Sequence, residues 1–466
     1  MDIMRIFGCL ELKERLRSLP RVCRRFAELC SAPQLLPGDV RVRMMPSGEL
    51  ERMRSLAEWL VRRGAGAVRR LQLHLTLCMR DSDADGLNIF PSTDDADQLE
   101  VLAEALQAVA FCAARGSLQD LDLELEFLPA FRLSAATAAA LSALRRLQLR
   151  VVGSVPGSED GMLAVVGPLH TMTALQELSL HGEPLVFKPA LRFPPALTKL
   201  SLSSEDEDPT GGVPQQLSGL RQLRVLSLNA MARTPMQLSV LTHLTALERL
   251  SLSWCALPGP DTLAALPSLA ALELDFCPPA GDNVGEAVGP ALAALQGQLT
   301  ELQVHCGVTP PIHAPPQQLG GCSRLRHLAW LAGSAGPEAA PLPLPPGAWL
   351  GRLRRLVLHA AVVSASLGLL QSAASQLEQL GVCGLNNNAP DLLEVVAFAG
   401  SHPRLARLAV DTQEPSADVR EAAAAAQQQK PTLDIVWTPS DAWAAAVALG
   451  GDAVPAHMRQ VLAGIV

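Results

Sequence analysis

Leu247-Glu248-Arg249-Leu250-Ser251-Leu252-Ser253-Trp254-Cys255 is the stretch on which the fold turns. Its leucines alternate with polar residues at period two, the pattern of a short strand with one buried face. Leu250 and Leu252 are expected to point into a core, and Ser251 and Ser253 away from it. The stretch Leu269-Ala270-Ala271-Leu272-Glu273-Leu274-Asp275-Phe276-Cys277 begins 22 residues later and keeps the spacing down to the final cysteine. Working outward, the same phrase opens at Val68, Leu118, Leu144, Leu175, Leu197, Leu223, Leu299, Leu325, Leu353, Leu377 and Leu405. A last, incomplete copy is read at Leu433-Asp434-Ile435, with Lys430 where its first leucine would stand. Most intervals are 22 to 31 residues, but Val68 to Leu118 is 50. That interval holds an acidic loop, Asp81 to Asp97, and an apolar helix-like run, Leu99 to Cys112, and reads as one enlarged repeat. Such strands cannot bury their leucines singly, so neighbouring copies must stack.

The phrase L-x-x-L-x-L-x-x-N/C resembles the repeat of the leucine-rich repeat family, over residues 68–436. The resemblance implies an α/β solenoid, an arc or horseshoe with a parallel β-sheet on its concave face and helices or irregular segments on its convex face. Thirteen strand spacings of about 4.8 Å would make an arc roughly 60 Å long, a length suited to a protein partner. Between phrases, Leu238, Leu241, Leu244 and Leu247 recur every third residue behind Pro235, so Met236–Leu247 is expected to be helical. Ser47 is expected to cap a helix over Glu49–Arg63, with Leu50, Met53, Leu56, Leu60 and Val61 on one stripe. Ser416 is expected to cap a helix over Ala417–Gln429. Thr432–Trp437 reads as a last strand, and Asp441–Leu449 and Pro455–Ile465 as helices closing its edge. The expected organisation is a small helical module at 1–37, a linker and N-terminal cap at 38–67, the repeat domain at 68–436 and cap helices at 437–466.

The N-terminal module is of another kind. It contains Ile3, Ile6-Phe7, Leu10 and Leu16, then Val22-Cys23-Arg24-Arg25-Phe26, and ends Ser31-Ala32-Pro33-Gln34-Leu35-Leu36. These offsets resemble the F-box, although its opening Leu-Pro pair is missing, one extra residue separates Leu10 from Leu16, and Leu36 stands where an aromatic is common. The resemblance implies that Ile3, Ile6, Phe7, Leu10, Leu16, Val22 and Phe26 dock on the Skp-type adaptor of a cullin–RING ubiquitin ligase. A second reading leaves residues 1–36 as a helical cap over the open end of the stack. The apolar set Ile3, Ile6, Phe7 and Leu10 favours the first, since a small module cannot easily hide it and an exposed set of this kind marks a partner surface.

The net charge of −8 conceals an asymmetry. Residues 1–80 carry 16 Lys and Arg against 8 Asp and Glu, and the remainder 22 against 38. An acidic repeat body argues against nucleic-acid binding, which needs basic grooves. Ten scattered cysteines without a C-x-x-C pair read as reduced, buried thiols. With no secretory or membrane-spanning pattern expected, the cytoplasm or nucleus is the natural compartment.

Phosphate-binding glycine loops, H-E-x-x-H and G-x-S-x-G are all missing from the sequence, so no enzymatic activity, metal or cofactor is expected. Function should lie instead on the outward residues of the strands. These are acidic early (Asp122, Glu124, Glu126) and small and polar in the middle (Ser179, Ser201, Ser203, Ser227, Asn229, Ser251, Ser253). Glu273 and Asp275 follow with Trp254 and Phe276 beside them, and then His305, Leu331 and His359. Two readings of function remain: a substrate-recognition subunit of an SCF-type ligase that holds a protein substrate on this face, or a stand-alone interaction scaffold.

Overall fold

The computed structural model describes residues 39–44, 50–62, 68–76, 105–126, 130–133, 135–152, 162–165, 169–182, 185–187, 191–204, 215–231, 235–275, 284–306, 315–332, 343–383, 389–412 and 415–438. The F-box-like segment, Ser47, Phe276, Cys277 and the expected closing helices lie outside them. Fifteen strands belong to one parallel β-sheet in which chain order is sheet order, and three short strands form a second sheet. The described residues fall into two compact units. One runs to Leu223 and includes Asn229–Met231; the other comprises Arg224–Leu228 and the residues from Ala232 onward.

In the first unit the strands are β1 (Asp39–Met44), β2 (Arg70–Thr76), β3 (Asp120–Glu126), β4 (Ala130–Leu133), β5 (Arg146–Val152), β6 (Met162–Val165), β7 (Glu177–Gly182), β8 (Leu185–Phe187) and β9 (Lys199–Ser204). The main sheet takes β1, β2, β3, β5, β7 and β9, while β4, β6 and β8 pair separately. β1 corrects the expected linker. Its alternation Val40-Arg41-Val42 already had the period of a strand, and it pairs in register with β2 from Asp39↔Arg70 to Met44↔Leu75. The 50-residue interval is indeed one enlarged repeat, because β2 and β3 are direct neighbours and the helix at 105–114 lies between them in the chain.

The second unit continues with β10 (Val225–Asn229), β11 (Arg249–Ser253), β12 (Ala271–Asp275), β13 (Glu301–Cys306), β14 (His327–Ala332), β15 (Arg355–His359), β16 (Gln379–Cys383), β17 (Arg407–Asp411) and β18 (Asp434–Thr438). Helices Val284–Leu295, Ala360–Ala373, Ala389–Ser401 and Ala417–Gln429 connect the later strands. The last begins as expected: the Ser416 hydroxyl accepts from the Val419 N–H at 3.4 Å, satisfying a donor that the first helical turn leaves open.

Each strand buries its leucines on one face. Leu250 and Leu252, and Leu272 and Leu274, are all essentially inaccessible to water. At roughly 25 cal/mol per Å² of apolar surface, every such pair contributes a few kcal/mol, realised only when the neighbouring strand is in place. A recurring backbone motif fixes the start of the strands. One carbonyl accepts from two successive N–H groups of the next strand, as Glu248 O does from Ala270 and Ala271 at 2.9 and 3.0 Å.

Two local expectations change. The segment behind Pro235 is a 3₁₀ helix over Pro235–His243 rather than a longer α-helix. Leucines at every third residue match the three-residue turn of that helix and keep Leu238, Leu241 and Leu244 on one buried edge. In the last repeat, Leu408 pairs with Ile435 and Val410 with Trp437. Ile435 therefore takes the second leucine's place, and Thr432, not Lys430, stands at the first.

Candidate partner-binding surface

The side of the strands opposite the leucines carries three rows of residues, one row for each outward position. In the first unit the first row reads Asp39, Arg70, Asp120, Arg146, Glu177 and Lys199 on adjacent strands, so that every charge faces its opposite. Arg70 lies 3.1 Å from Asp120 and 3.8 Å from Asp39, and Arg146 lies 3.6 Å from Glu177. Exposed pairs like these add little stability each. Their alternation nevertheless penalises any mispairing that would set like charges opposite one another.

The acidic strand β3 is compensated in the same way. Gln72 Nε2 donates to Asp122 Oδ2 at 3.2 Å, and Arg150 Nη1 donates to Glu124 Oε1 at 3.0 Å. His74 Nδ1 lies 3.4 Å from Glu124 Oε2. Burial, followed by repulsion from Glu124, pushes the Asp122 carboxyl above its usual value, while Arg146, Gln72 and His74 oppose the rise. Gln72, His74, Asp122 and Glu124 line a shallow cleft of about 310 Å³ with Arg41, Val42 and Leu73. Glu126 continues the strand in pairing with Thr76 and Val152. Further on, His181 Nδ1 and Asn229 Nδ2 both lie 2.9 Å from Ser203 Oγ, a polar chain along the third row.

In the second unit the structure brings Ser251, Ser253, Glu273, Asp275 and His305 together on β11–β13, through the pairs Ser251↔Glu273, Ser253↔Asp275 and Asp275↔His305. Ser253 and Asp275 are buried there, at 5% and 8% exposure, and so are not the solvent-facing residues that were expected. Arg249 Nη2 and Nη1 reach Glu301 Oε2 and Oε1 at 2.7 and 3.2 Å. That bond spans a full strand, because the residue between them is Ala271, whose methyl group is too short to obstruct it. Gln303 Nε2 adds a donor to Glu301 Oε1 at 2.8 Å. Burial alone would raise the Glu301 pKa, but the Arg249 hydrogen bonds and charge, with Gln303, outweigh it and hold the group below its usual value. His305 Nδ1 sits 2.9 Å from Asp275 Oδ1. Desolvation, and after it the charges of Glu301 and Asp275, push the Glu273 carboxyl up to about 7 against the opposing hydrogen bond from Ser251 and the charge of Arg249.

Trp254 leaves this surface at the end of β11. It is 50% exposed, has φ +53°, and donates its N–H to Asp275 O at 2.6 Å. The left-handed backbone, uncommon for a bulky residue, turns the chain out of the strand. Ala230 makes the same turn after β10. Cys255 is buried beneath, its thiol donating to Leu228 O at 3.6 Å, as the small residue at that place was expected to be.

Beyond β13 the surface changes character. Leu331 and His359 occupy outward positions but are buried, at 3% and 7% exposure, so they are not the solvent-facing ladder that was expected. Leu331, Val357, Cys383 and Ala409 form a second apolar cluster, with Ala329 packed against it. Strands β15–β17 are thus buried on both faces, which is why their sequences read as almost unbroken apolar runs. Beyond β13 the outward row that stays polar and partly exposed is the first, at His327, Arg355, Gln379 and Arg407.

Reading the strands singly missed Arg249, Glu301 and Gln303, and the compensation of β3 by Gln72, His74 and Arg150. Part of the signal was available: from Arg70 to Lys199 the residue before each second leucine alternates in sign, and that shows only when the phrases are set one above another. Among the described residues, no group of three or more His, Cys, Asp or Glu is placed to hold a metal ion. No described helix is long and apolar enough to cross a membrane. No protein family model matches the chain, and no curated protein matches it.

Proposed function

We propose that this chain is a leucine-rich repeat protein that holds a protein partner on the outward face of its sheet, and that its F-box-like N-terminus makes it the substrate-recognition subunit of an SCF-type ubiquitin ligase. The observation that carries the binding role is the division of the main-sheet strands from β2 to β13 between apolar side chains committed to the core and outward side chains that differ from strand to strand. Such a surface presents many side chains at fixed spacing, which suits recognition of a protein rather than of a small molecule. The ligase role is supported by Ile6-Phe7, Leu10, Leu16 and Val22–Phe26 at F-box offsets. In that role the chain works in the cytoplasm or nucleus and contributes positioning alone, bringing a substrate to a ubiquitin-loaded partner.

Co-purification of the full chain with a Skp-type adaptor tests this. Wild type should bind at micromolar concentration. Ile6→Asp combined with Phe7→Asp should abolish binding and leave the circular dichroism of the repeat body unchanged. Absence of adaptor binding by well-folded wild type would remove the ligase role and leave a stand-alone interaction scaffold.

A further inference from the structure

The first outward row is balanced in charge early in the chain and one-sided late. From Asp39 to Lys199 every charge in it faces its opposite. On β14–β17 the row reads His327, Arg355, Gln379 and Arg407, and no acid follows until Asp434 on β18. The residues just before these strands extend the excess. Arg324 and Arg326 precede β14, Arg352 and Arg354 precede β15, and all four are exposed. The same places before β12 and β13 hold Ser268, Ala270, Gln298 and Thr300.

These guanidinium groups lie close together. Arg326 O accepts from the N–H groups of Arg354 and Arg355 at 2.8 and 3.0 Å, so the two repeats stand one strand spacing apart, about 4.8 Å. The field of the group is felt at His327. Burial first, then the charges of Arg355, Arg249 and Arg326, hold its pKa below the usual value against Glu301. Acids answer only part of the excess. Arg354 Nη1 lies 3.8 Å from Glu378 Oε1, and Arg407 Nε lies 3.5 Å from Asp434 Oδ2. Among the described residues, no carboxylate lies within ion-pairing distance of Arg324, Arg326, Arg352 or Arg355. Like charges on adjacent strands repel, and folding gains nothing from them. An anion supplied from outside removes that repulsion.

The surroundings select the kind of anion. After residue 80 the chain carries 22 Lys and Arg against 38 Asp and Glu, so this patch is a basic island in an acidic body. Three strand spacings from β14 to β17 make it roughly 15 Å wide. A long polyanion would overrun it and meet repulsion. Nucleic-acid bases would find no platform for stacking, since the exposed large apolar side chains among the described residues are Val61, Phe111 and Trp254, none of them on these strands. A short acidic peptide segment fits the width, and arginine's planar fork matches a carboxylate at two points.

We propose that the arginines where β14 and β15 begin form a docking site for an acidic segment of a protein partner, its carboxylates held by Arg326, Arg354 and Arg355. This goes beyond the proposed function. The patch lies on strands that the binding role of β2–β13 does not use, and it selects an acidic segment whether or not the chain serves a ligase.

The test uses the full chain and a fluorescein-labelled decapeptide of alternating Asp and Ser, which sets its carboxylates along one side of an extended chain. Anisotropy reads binding, with the neutral Asn–Ser decapeptide as a control. Wild type should bind the acidic peptide alone, and several-fold more weakly in about 0.5 M than in about 0.05 M sodium chloride. Arg326→Gln combined with Arg354→Gln should weaken binding about tenfold. Arg221→Gln combined with Arg224→Gln removes the same charge from exposed positions before β10, and should bind nearly as wild type does. Thermal melts confirm that each variant is folded. No binding by wild type, or wild-type affinity in the Arg326/Arg354 variant, would overturn the proposal. Equal losses in the two double variants would overturn it as well, reducing the effect to net charge. Tighter binding of labelled decathymidylate, or of phosphatidylserine vesicles, through Arg326 and Arg354 would reassign the patch and sink the peptide reading. Adaptor binding is read separately, so this site can fail while the ligase role stands, and the reverse.

Discussion

Arg249 and Glu301 are joined by two hydrogen bonds, at 2.7 and 3.2 Å, across the whole width of β12. The contact bridges strands that are not neighbours, and it exists because Ala271 leaves the space open between them. Two-point guanidinium–carboxylate pairs are the strongest of the common ion pairs, and Glu301 is well shielded here, at 14% side-chain exposure. Arg249→Met should destabilise the fold by about 1–3 kcal/mol, and Glu301→Gln by less. A double-mutant cycle in urea should give a coupling of about 1 kcal/mol or more. Additive effects would mean that the two side chains act separately.

The same pair has a pH signature. Glu301 is held below its usual pKa in the folded chain, so its contribution is present at neutral pH and is lost as pH falls through the depressed value. Arg249→Met removes the depression. The stability difference between wild type and Arg249→Met should therefore shrink as pH falls through and below the ordinary carboxylate value of 4.5, and a constant difference would contradict the assignment.

Glu273 behaves in the opposite sense. Its folded pKa is raised from 4.5 to about 7, so between those values the folded chain holds a proton that the unfolded chain has released. Stability from this group is complete below about pH 4.5 and declines as pH rises to about 7. Glu273→Gln should therefore stabilise the protein by on the order of 1–3 kcal/mol at pH 8 and hardly at all at pH 4. Chemical denaturation at the two pH values decides it. A destabilised variant at pH 8 would mean that the ionised carboxylate has a partner in the folded chain.

Strand register is tested by adjacent residues. Leu250 is wholly buried, and Leu250→Ala should cost about 2–5 kcal/mol. Ser251 points outward, and Ser251→Ala should change stability by no more than about 1 kcal/mol, the worth of its bond to Glu273. Similar losses at both positions would place the wrong face in the core.

Gly347 tests the packing between loops of successive repeats. A methyl group there would meet Gly320 O at 2.7 Å and Gly320 Cα at 2.8 Å, both backbone atoms that cannot rotate away. Gly347→Ala should destabilise by about 1–3 kcal/mol, measured by urea denaturation. Gly351→Ala should be nearly neutral by comparison, since its nearest neighbour would lie 3.9 Å away. Equal effects of the two substitutions would show that the close approach is not tight in solution.

The phrase L-x-x-L-x-L by itself determined the strands, their parallel order and their buried face. Period-two alternation with a fixed interval admits one economical way to bury the leucines, with each copy against the next. It determined Ser416 as a helix cap as well, because capping depends on residues within a single turn. β1 was legible in the same alternation, and the 3₁₀ segment in its three-residue spacing. What only the tertiary structure decided is how outward residues on different strands meet. Sequence places Asp122, Glu124 and Glu273 alike as exposed acids. Stacking gives the two on β3 donors from neighbouring strands and leaves Glu273 desolvated with a hydrogen bond from Ser251, since Arg249, whose charge still acts on it, spends its hydrogen bonds on Glu301. Leu331 and His359 likewise read as outward residues, yet the packing around β14–β17 removes them from water. A strand's sequence fixes which way each side chain points, but the charge and solvent it meets there come from residues 22 to 52 positions away, brought alongside only by folding.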